Sequence, residues 1–336
     1  MRVSVLHAPH DLRVEDRVVP EPAAHEVRVR VTAVGVCGSD VHYYEHGRIG
    51  SVVVEAPLVL GHEAGGVVDA VGGDVDDLAA GRRVSLEPGV PCTTCRQCLS
   101  GRYNLCPRMR FFATPPIDGA FAEFVVLPAA FVHPVPDALS DDAAALIEPL
   151  SVGVWACRRT QVQPGDTVLV TGAGPIGLLG ALVARTSGAD RVVVTDVSAA
   201  RLSFAAGLGL ETVDVSRVPV READVAADVL LECSGNGHAT ADALESMAPA
   251  GRAVLIGAGP EELTVPLSAV QNKELQMMGA YRYAHTWPAA IALAVGGTID
   301  LDAMVTGHFG LDDVAAALEA PARDPETIKV VVRPQD

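Results

Sequence analysis

Four cysteines fall within fifteen residues as Cys92-x2-Cys95-x2-Cys98-x7-Cys106. Four soft sulfur ligands with no spare position describe a closed, tetrahedral structural zinc site. Such a site holds together a loop that lacks a hydrophobic core of its own. Iron–sulfur clusters also take four cysteines, so spacing alone leaves the metal open. The chain has seven cysteines, an odd number that does not suit a disulfide framework. Of the other three, Cys157 and Cys233 read as inert buried thiols, which leaves Cys37.

Cys37 belongs to a more dispersed set. Cys37-Gly-Ser39-Asp40-Val-His42 follows a predicted strand, Gly61-His62-Glu63 opens the next, and Glu148 lies in Ile147-Glu148-Pro149-Leu150. One thiolate, one imidazole and one carboxylate can hold zinc and leave a fourth position for substrate or water. On the residues alone, a buried thiol and a surface His-Glu pair account for the same pattern.

The third constellation is a phosphate cradle. Val168-Leu-Val-Thr-Gly172-Ala-Gly174-Pro175-Ile176-Gly177 is an apolar strand running into G-x-G-x-x-G at the start of a helix. Gly172 permits the tight turn, Gly174 lets backbone approach a pyrophosphate, and Gly177 allows close helix–strand packing. Pro175 suits the first helical turn, and the free N–H groups of that turn face the phosphates. Asp196 ends the next strand, 19 residues after Gly177, near the spacing expected of an acid on the ribose hydroxyls. A carboxylate there repels a 2′-phosphate and points to NAD. Arg201, five residues on, would favour NADP.

These groups need elements to hold them. Residues 1–150 show Val-rich runs with period-two alternation, as in Glu26–Val36, Ala64–Val71 and Ala122–Leu127, between Gly, Pro and Asp. That pattern predicts a β-rich barrel or sandwich, interrupted by the irregular cysteine lobe, 87–116. Residues 151–283 alternate apolar strands (Val168–Thr171, Arg191–Asp196, Val229–Cys233, Ala253–Gly257) with helices (Gly177–Thr186, Ala199–Gly207, Ala239–Ala248). This predicts a doubly wound α/β domain on a parallel sheet. Residues 284–336 offer two helical stretches, near Trp287–Val295 and Leu311–Leu318, and a final strand, Ile328–Val332. With 336 residues, 49% hydrophobic and 4% aromatic, two cores built from Val, Leu, Ile and Ala are expected. The net charge of −17 argues against nucleic acid or an anionic membrane as partner. The N-terminus lacks the apolar core of a signal peptide, and the longest apolar stretch, Val168–Ala184, is broken by four glycines and a proline. A soluble, cytoplasmic protein is expected.

The chain resembles the zinc-dependent medium-chain alcohol dehydrogenases and, among them, the sorbitol (polyol) dehydrogenases. The likeness spans nearly the whole chain. It is carried by VCGSDVHYYEHGRIG (36–50), LGHEAGGVV (60–68), GRYNLC (101–106), FFATPPIDGAFAEF (111–124), ALIEPLSVG (145–153), VTGAGPIG (170–177), VVVTDVSAARL (192–202) and YRYAHTWPAAI (281–291). The resemblance implies a GroES-like catalytic domain, a Rossmann domain and a C-terminal segment returning to the first. It implies two zinc ions per chain: a catalytic one on Cys37, His62 and Glu63, with Glu148 on the metal or on its water, and a structural one on the four-cysteine lobe. Some sorbitol dehydrogenases lack that lobe, whereas this chain keeps all four ligands. Asp40 matches a residue bonded to the ligand histidine. Ser39 and His42 match positions near the proton path and the nicotinamide ribose, and Tyr43, Arg282 and Tyr283 match polyol contacts. The implied activity is NAD-dependent oxidation of a polyol to a ketose, in a homotetramer. The alternatives are the same chemistry on another secondary alcohol (L-threonine, 2,3-butanediol, a sugar acid) or a non-catalytic nucleotide- and zinc-binding protein.

Overall fold

The computed structural model describes residues 1–336. It divides into two compact units, Met1–Glu148 with Trp287–Asp336, and Pro149–Thr286. The sequence reading places the divisions at 150/151 and 283/284. The first difference arises because one helix, Asp141–Thr160, carries the chain across the boundary with Pro149 inside it. That helix escaped the sequence reading, since an interior proline normally ends one.

The first unit is built on a seven-stranded sheet. Its central strand, Glu26–Gly35, pairs antiparallel with Glu63–Val71 along one edge. Its other edge is shared: Phe124–Pro128 takes residues 26–30, and Lys329–Arg333 takes Val34 and Gly35. Alternation of buried valines with half-exposed charged or polar residues along Glu26–Thr32 (Val27, Val29 and Val31 buried) puts one face on the core, as period two requires. Leu311, Val314, Leu318 and Val332 from the C-terminal segment pack into the same core as Val5, Leu60, Leu86 and Phe121. The last strand is therefore an integral part of the first unit.

The second unit carries a six-stranded sheet formed by Thr167–Thr171, Arg191–Asp196, Glu211–Asp214, Ala227–Glu232, Met247–Leu255 and Gln276–Gly279. Numbered along the chain, the strands lie in the order 3-2-1-4-5-6, and every pairing is parallel. This is the doubly wound order that places a dinucleotide at the ends of the first and fourth strands. One expected helix needs correction. Ala239–Ala248 runs instead from Gly237 to Glu245, because Asn236 caps it by accepting from the backbone N–H of His238 and Ala239. The Met-Ala-Pro-Ala-Gly stretch that follows is strand, since the residue before a proline is driven towards extended backbone. No helix is long and apolar enough to cross a membrane.

Candidate active site

Cys37, His62 and Glu63 converge in the first unit, with a potential ligand atom from each within 4.8 Å of the others. The local chain explains this. The central strand stops at Gly35, and Cys37 takes an extended backbone (φ −103°, ψ 153°) that caps the helix Gly38–His46. Gly61, at φ +87°, turns the chain into His62, and a side chain there would strike the Phe121 ring at 2.9 Å. Asp40, fully buried, ties the two segments together. One carboxylate oxygen accepts from the Gly61 N–H (2.9 Å) and the other from the Cys37 N–H (3.1 Å).

Asp40 also faces Nδ1 of His62 at 3.4 Å, so Nε2 is the nitrogen left for a metal. Burial opposes charge on both groups. Even so, Asp40 is held below its usual value by His62 and the two N–H donors, and His62 is driven well above its own by Asp40 and Cys37. Glu63 is 1% exposed, and its Oε2, though 2.5 Å from the Lys329 ammonium, accepts no hydrogen bond of good geometry. A thiolate, an imidazole and a carboxylate with a lone pair to spare fit Zn²⁺ in type and reach. We expect Asp40→Ala to lower zinc affinity at this centre by about 10–100-fold, read as zinc retained after dialysis against graded chelator.

Other expected residues fall less tightly. Glu148 is buried in the first unit but lies outside the three-ligand set, although its charge acts on Lys329. It comes from the helix packed so closely on the sheet that a side chain at Gly65 would meet Ala144 at 2.9 Å. Ser39 is half-buried and His42 exposed on the helix that begins after Cys37, with Tyr43 buried in it. Arg282 and Tyr283 belong to the second unit, where the Arg282 guanidinium lies 4.9 Å from the Tyr281 ring centre and Tyr283 is buried. The sequence reading missed Lys329, whose ammonium lies 2.6 Å and 2.5 Å from the two oxygens of Glu63. Its only signal is a single cation inside the apolar run Ile328–Val332.

The lobe sulfurs form a second cluster. Cys95 and Cys98 are 3.4 Å apart, and the Cys92–Cys98 and Cys95–Cys106 pairs are 3.9 Å apart. A tetrahedron with Zn–S of about 2.3 Å requires S–S separations of roughly 3.8 Å, so the four fit that ion with little movement. The Thr94 N–H is the main reason the Cys92 thiol is pulled down to about 5, and Arg108 also donates to that sulfur (3.1 Å). Arg110–Phe111 pairs with Gly89–Val90 at the lobe's base. The Tyr103 hydroxyl donates to buried Glu87 at 2.6 Å, and His133 holds the other oxygen of that carboxylate.

In the second unit, a cavity of about 670 Å³ opens over the glycine-rich loop. Gly172, Gly174, Asp196 and Arg201 line it, joined by Arg221 and Asn236, which the sequence reading did not single out. Gly172 sits at φ +88°, and a Cβ on Gly177 would lie 1.9 Å from the Gly172 carbonyl, so no side chain fits there. Gly174 caps the helix Pro175–Thr186, with Pro175 and Ile176 in its first turn. Asp196 accepts from the Ala173 N–H (2.7 Å) and the Ser198 N–H (2.8 Å) through different oxygens. Each oxygen keeps a lone pair for a ribose hydroxyl.

Two family models match the chain: the alcohol dehydrogenase GroES-like domain over residues 23–137, and zinc-binding dehydrogenase over 175–296. The sorbitol dehydrogenase of Bacillus subtilis (strain 168) is 39% identical, over 99% of this chain and 97% of that protein. The human sorbitol dehydrogenase is 43% identical, over 94% and 91%. An Escherichia coli CFT073 structure, described as a short chain alcohol dehydrogenase complexed with NADH, superposes with a TM-score of 0.92. It is 31% identical and covers 99% of each chain. With a GroES-like unit bearing a three-ligand metal pocket and a doubly wound unit bearing a dinucleotide cradle, the chain belongs to the zinc-dependent medium-chain alcohol dehydrogenases.

Proposed function

We infer that the protein oxidises a secondary hydroxyl of a polyol to the ketose, passing the hydride to NAD. The observation that carries this reading is the count of ligands at the two clusters. Four sulfurs close the lobe site, whereas only three donors gather at Cys37, His62 and Glu63. Three protein ligands leave zinc a position for substrate, and four do not. Two zinc ions per chain follow, one for each cluster.

When bound, zinc polarises the substrate hydroxyl and NAD accepts hydride from the carbinol carbon. The chain's residues supply the rest. The hydroxyl proton leaves through water held by Glu148, helped by Ser39 and by His42, which is exposed. Tyr43, Arg282 and Tyr283 contact the remaining hydroxyls. Asp196 selects NAD, because its carboxylate meets a 2′-phosphate with like charge. The protein works as a cytoplasmic homotetramer on a small-molecule substrate, a reading that rests on its likeness to the polyol dehydrogenases.

The test is initial rates of NAD and NADP reduction with D-sorbitol, xylitol, galactitol, L-iditol, ribitol, D-arabitol, 2,3-butanediol and L-threonine. We expect one polyol to lead and NAD to exceed NADP in kcat/KM by about 10²-fold or more, since like-charge contacts cost several kcal/mol. Turnover confined to threonine or the simple diol would keep the metal chemistry and remove the polyol. Silence on every substrate would favour a non-catalytic binding protein.

A further inference from the structure

Lys329 is 3% exposed, and its ammonium has two hydrogen-bond acceptors. Nζ donates to Glu63 Oε1 at 2.6 Å and to the Val36 carbonyl at 2.7 Å, and it lies 2.5 Å from Glu63 Oε2. The sheet is arranged around this contact. Glu63 pairs with Gly35 from one side, and Val331 pairs with Gly35 from the other. Lys329 and Glu63 therefore reach each other across the central strand, at the one position where that strand has no side chain. A Cβ on Gly35 would lie 2.1 Å from Glu63 Oε2 and 3.1 Å from Lys329 Cε. Val36, the other acceptor, directly precedes Cys37.

Lys329 thus grips both segments that form the metal pocket, one at Val36 and one at Glu63. We propose that Lys329 is a positioning residue that competes with the catalytic metal for the Glu63 carboxylate and so sets how tightly that metal is held. The proposal rests on the reading that Cys37, His62 and Glu63 bind zinc. Its physical content is a balance of charges. Thiolate and carboxylate together cancel a divalent cation, and the buried ammonium adds one positive charge beside it. That charge repels the metal and claims lone pairs the metal would use. Without metal, the same ammonium keeps a buried carboxylate paired, an arrangement whose loss is strongly destabilising. Removing it should therefore weaken the metal-free protein and tighten metal binding together.

The experiment is chelator competition on the zinc-loaded enzyme, with melting curves of loaded and metal-stripped protein. Wild type is expected to release zinc in two phases, and the phase lost in Cys37→Ser marks the catalytic centre. Lys329→Met is expected to raise zinc affinity in that phase about tenfold or more, in line with the 10–100-fold effects of groups that orient ligands. It should lower the melting temperature of the stripped protein more than that of the loaded one. Lys329→Arg keeps the charge and offers a planar fork that engages both carboxylate oxygens. It should fold and bind zinc more weakly, so the proposal stays testable if Lys329→Met does not fold. Unchanged or weaker zinc binding in Lys329→Met, or unchanged or tighter binding in Lys329→Arg, overturns the proposal. If Cys37→Ser keeps both zinc phases, the metal-pocket reading itself is wrong, and the proposal falls with it.

Discussion

Cys37→Ala is expected to leave a folded protein with one zinc per chain and turnover reduced by roughly 10³-fold or more. A Lewis acid contributes several kcal/mol to alcohol activation, and each 1.36 kcal/mol is about tenfold in rate. No protein group in the pocket replaces it: with the metal gone, the site holds an imidazole whose proton is secured by Asp40 and a carboxylate engaged by Lys329. The fold should survive, because Cys37 is only half-buried and the helix after it is still capped through Asp40. His62→Ala should give the same pair of losses. The measurement is zinc by atomic absorption beside initial rates on the best substrate. Near-normal turnover in a protein that has lost the metal would reject the mechanism.

Cys95→Ser should show the opposite pattern, a large loss of stability with the chemistry less affected in the molecules that stay folded. Apart from the metal, the lobe has only a four-residue helix, Arg96–Leu99, a short 3₁₀ turn, Tyr103–Leu105, and the two-stranded pairing at its base. Structural zinc contributes about 10–16 kcal/mol in isolated finger peptides. Even a fraction of that exceeds what those few contacts can hold. We expect loss of one zinc, proteolytic cleavage between Glu87 and Pro116, and a lower melting temperature, followed by thermal scans and limited proteolysis. A fully stable Cys95→Ser enzyme that has lost only its turnover would move the lobe into the reaction centre.

The two metal clusters differ in how far they could be read from the chain. The lobe is compact in sequence, so the cysteine spacings alone imply a shared metal. The pocket at Cys37 is compact only in space. Its residues were brought together by resemblance to a family, and the strand register now supplies the physical reason, with Gly35 opposite Glu63. The glycine-rich loop was legible because each glycine answers a local steric demand, now visible as the 1.9 Å approach at Gly177. The short edge strands Glu211–Asp214 and Gln276–Gly279 were missed because four residues carry too little periodicity to be recognised. The helix Asp141–Thr160, which carries Glu148, was hidden by Pro149. Lys329 leaves only a faint pattern, one cation inside the apolar run Ile328–Val332. A lysine opening an apolar strand ordinarily reads as an exposed edge, and only the pairing of Val331 with Gly35 shows that it points at a carboxylate 266 residues earlier.

That last strand also imposes an order of events on synthesis. The second unit, Pro149–Thr286, is complete in sequence before residues 329–333 are made, and units of this kind fold as they emerge from the ribosome. The first unit cannot finish its sheet until residues 329–333 arrive to pair beside Val34 and Gly35. Until then, Glu63 is a carboxylate without its ammonium beside a free thiol and an imidazole. If Lys329 opposes the metal as proposed, that opposition is absent until residues 329–333 dock beside Val34 and Gly35.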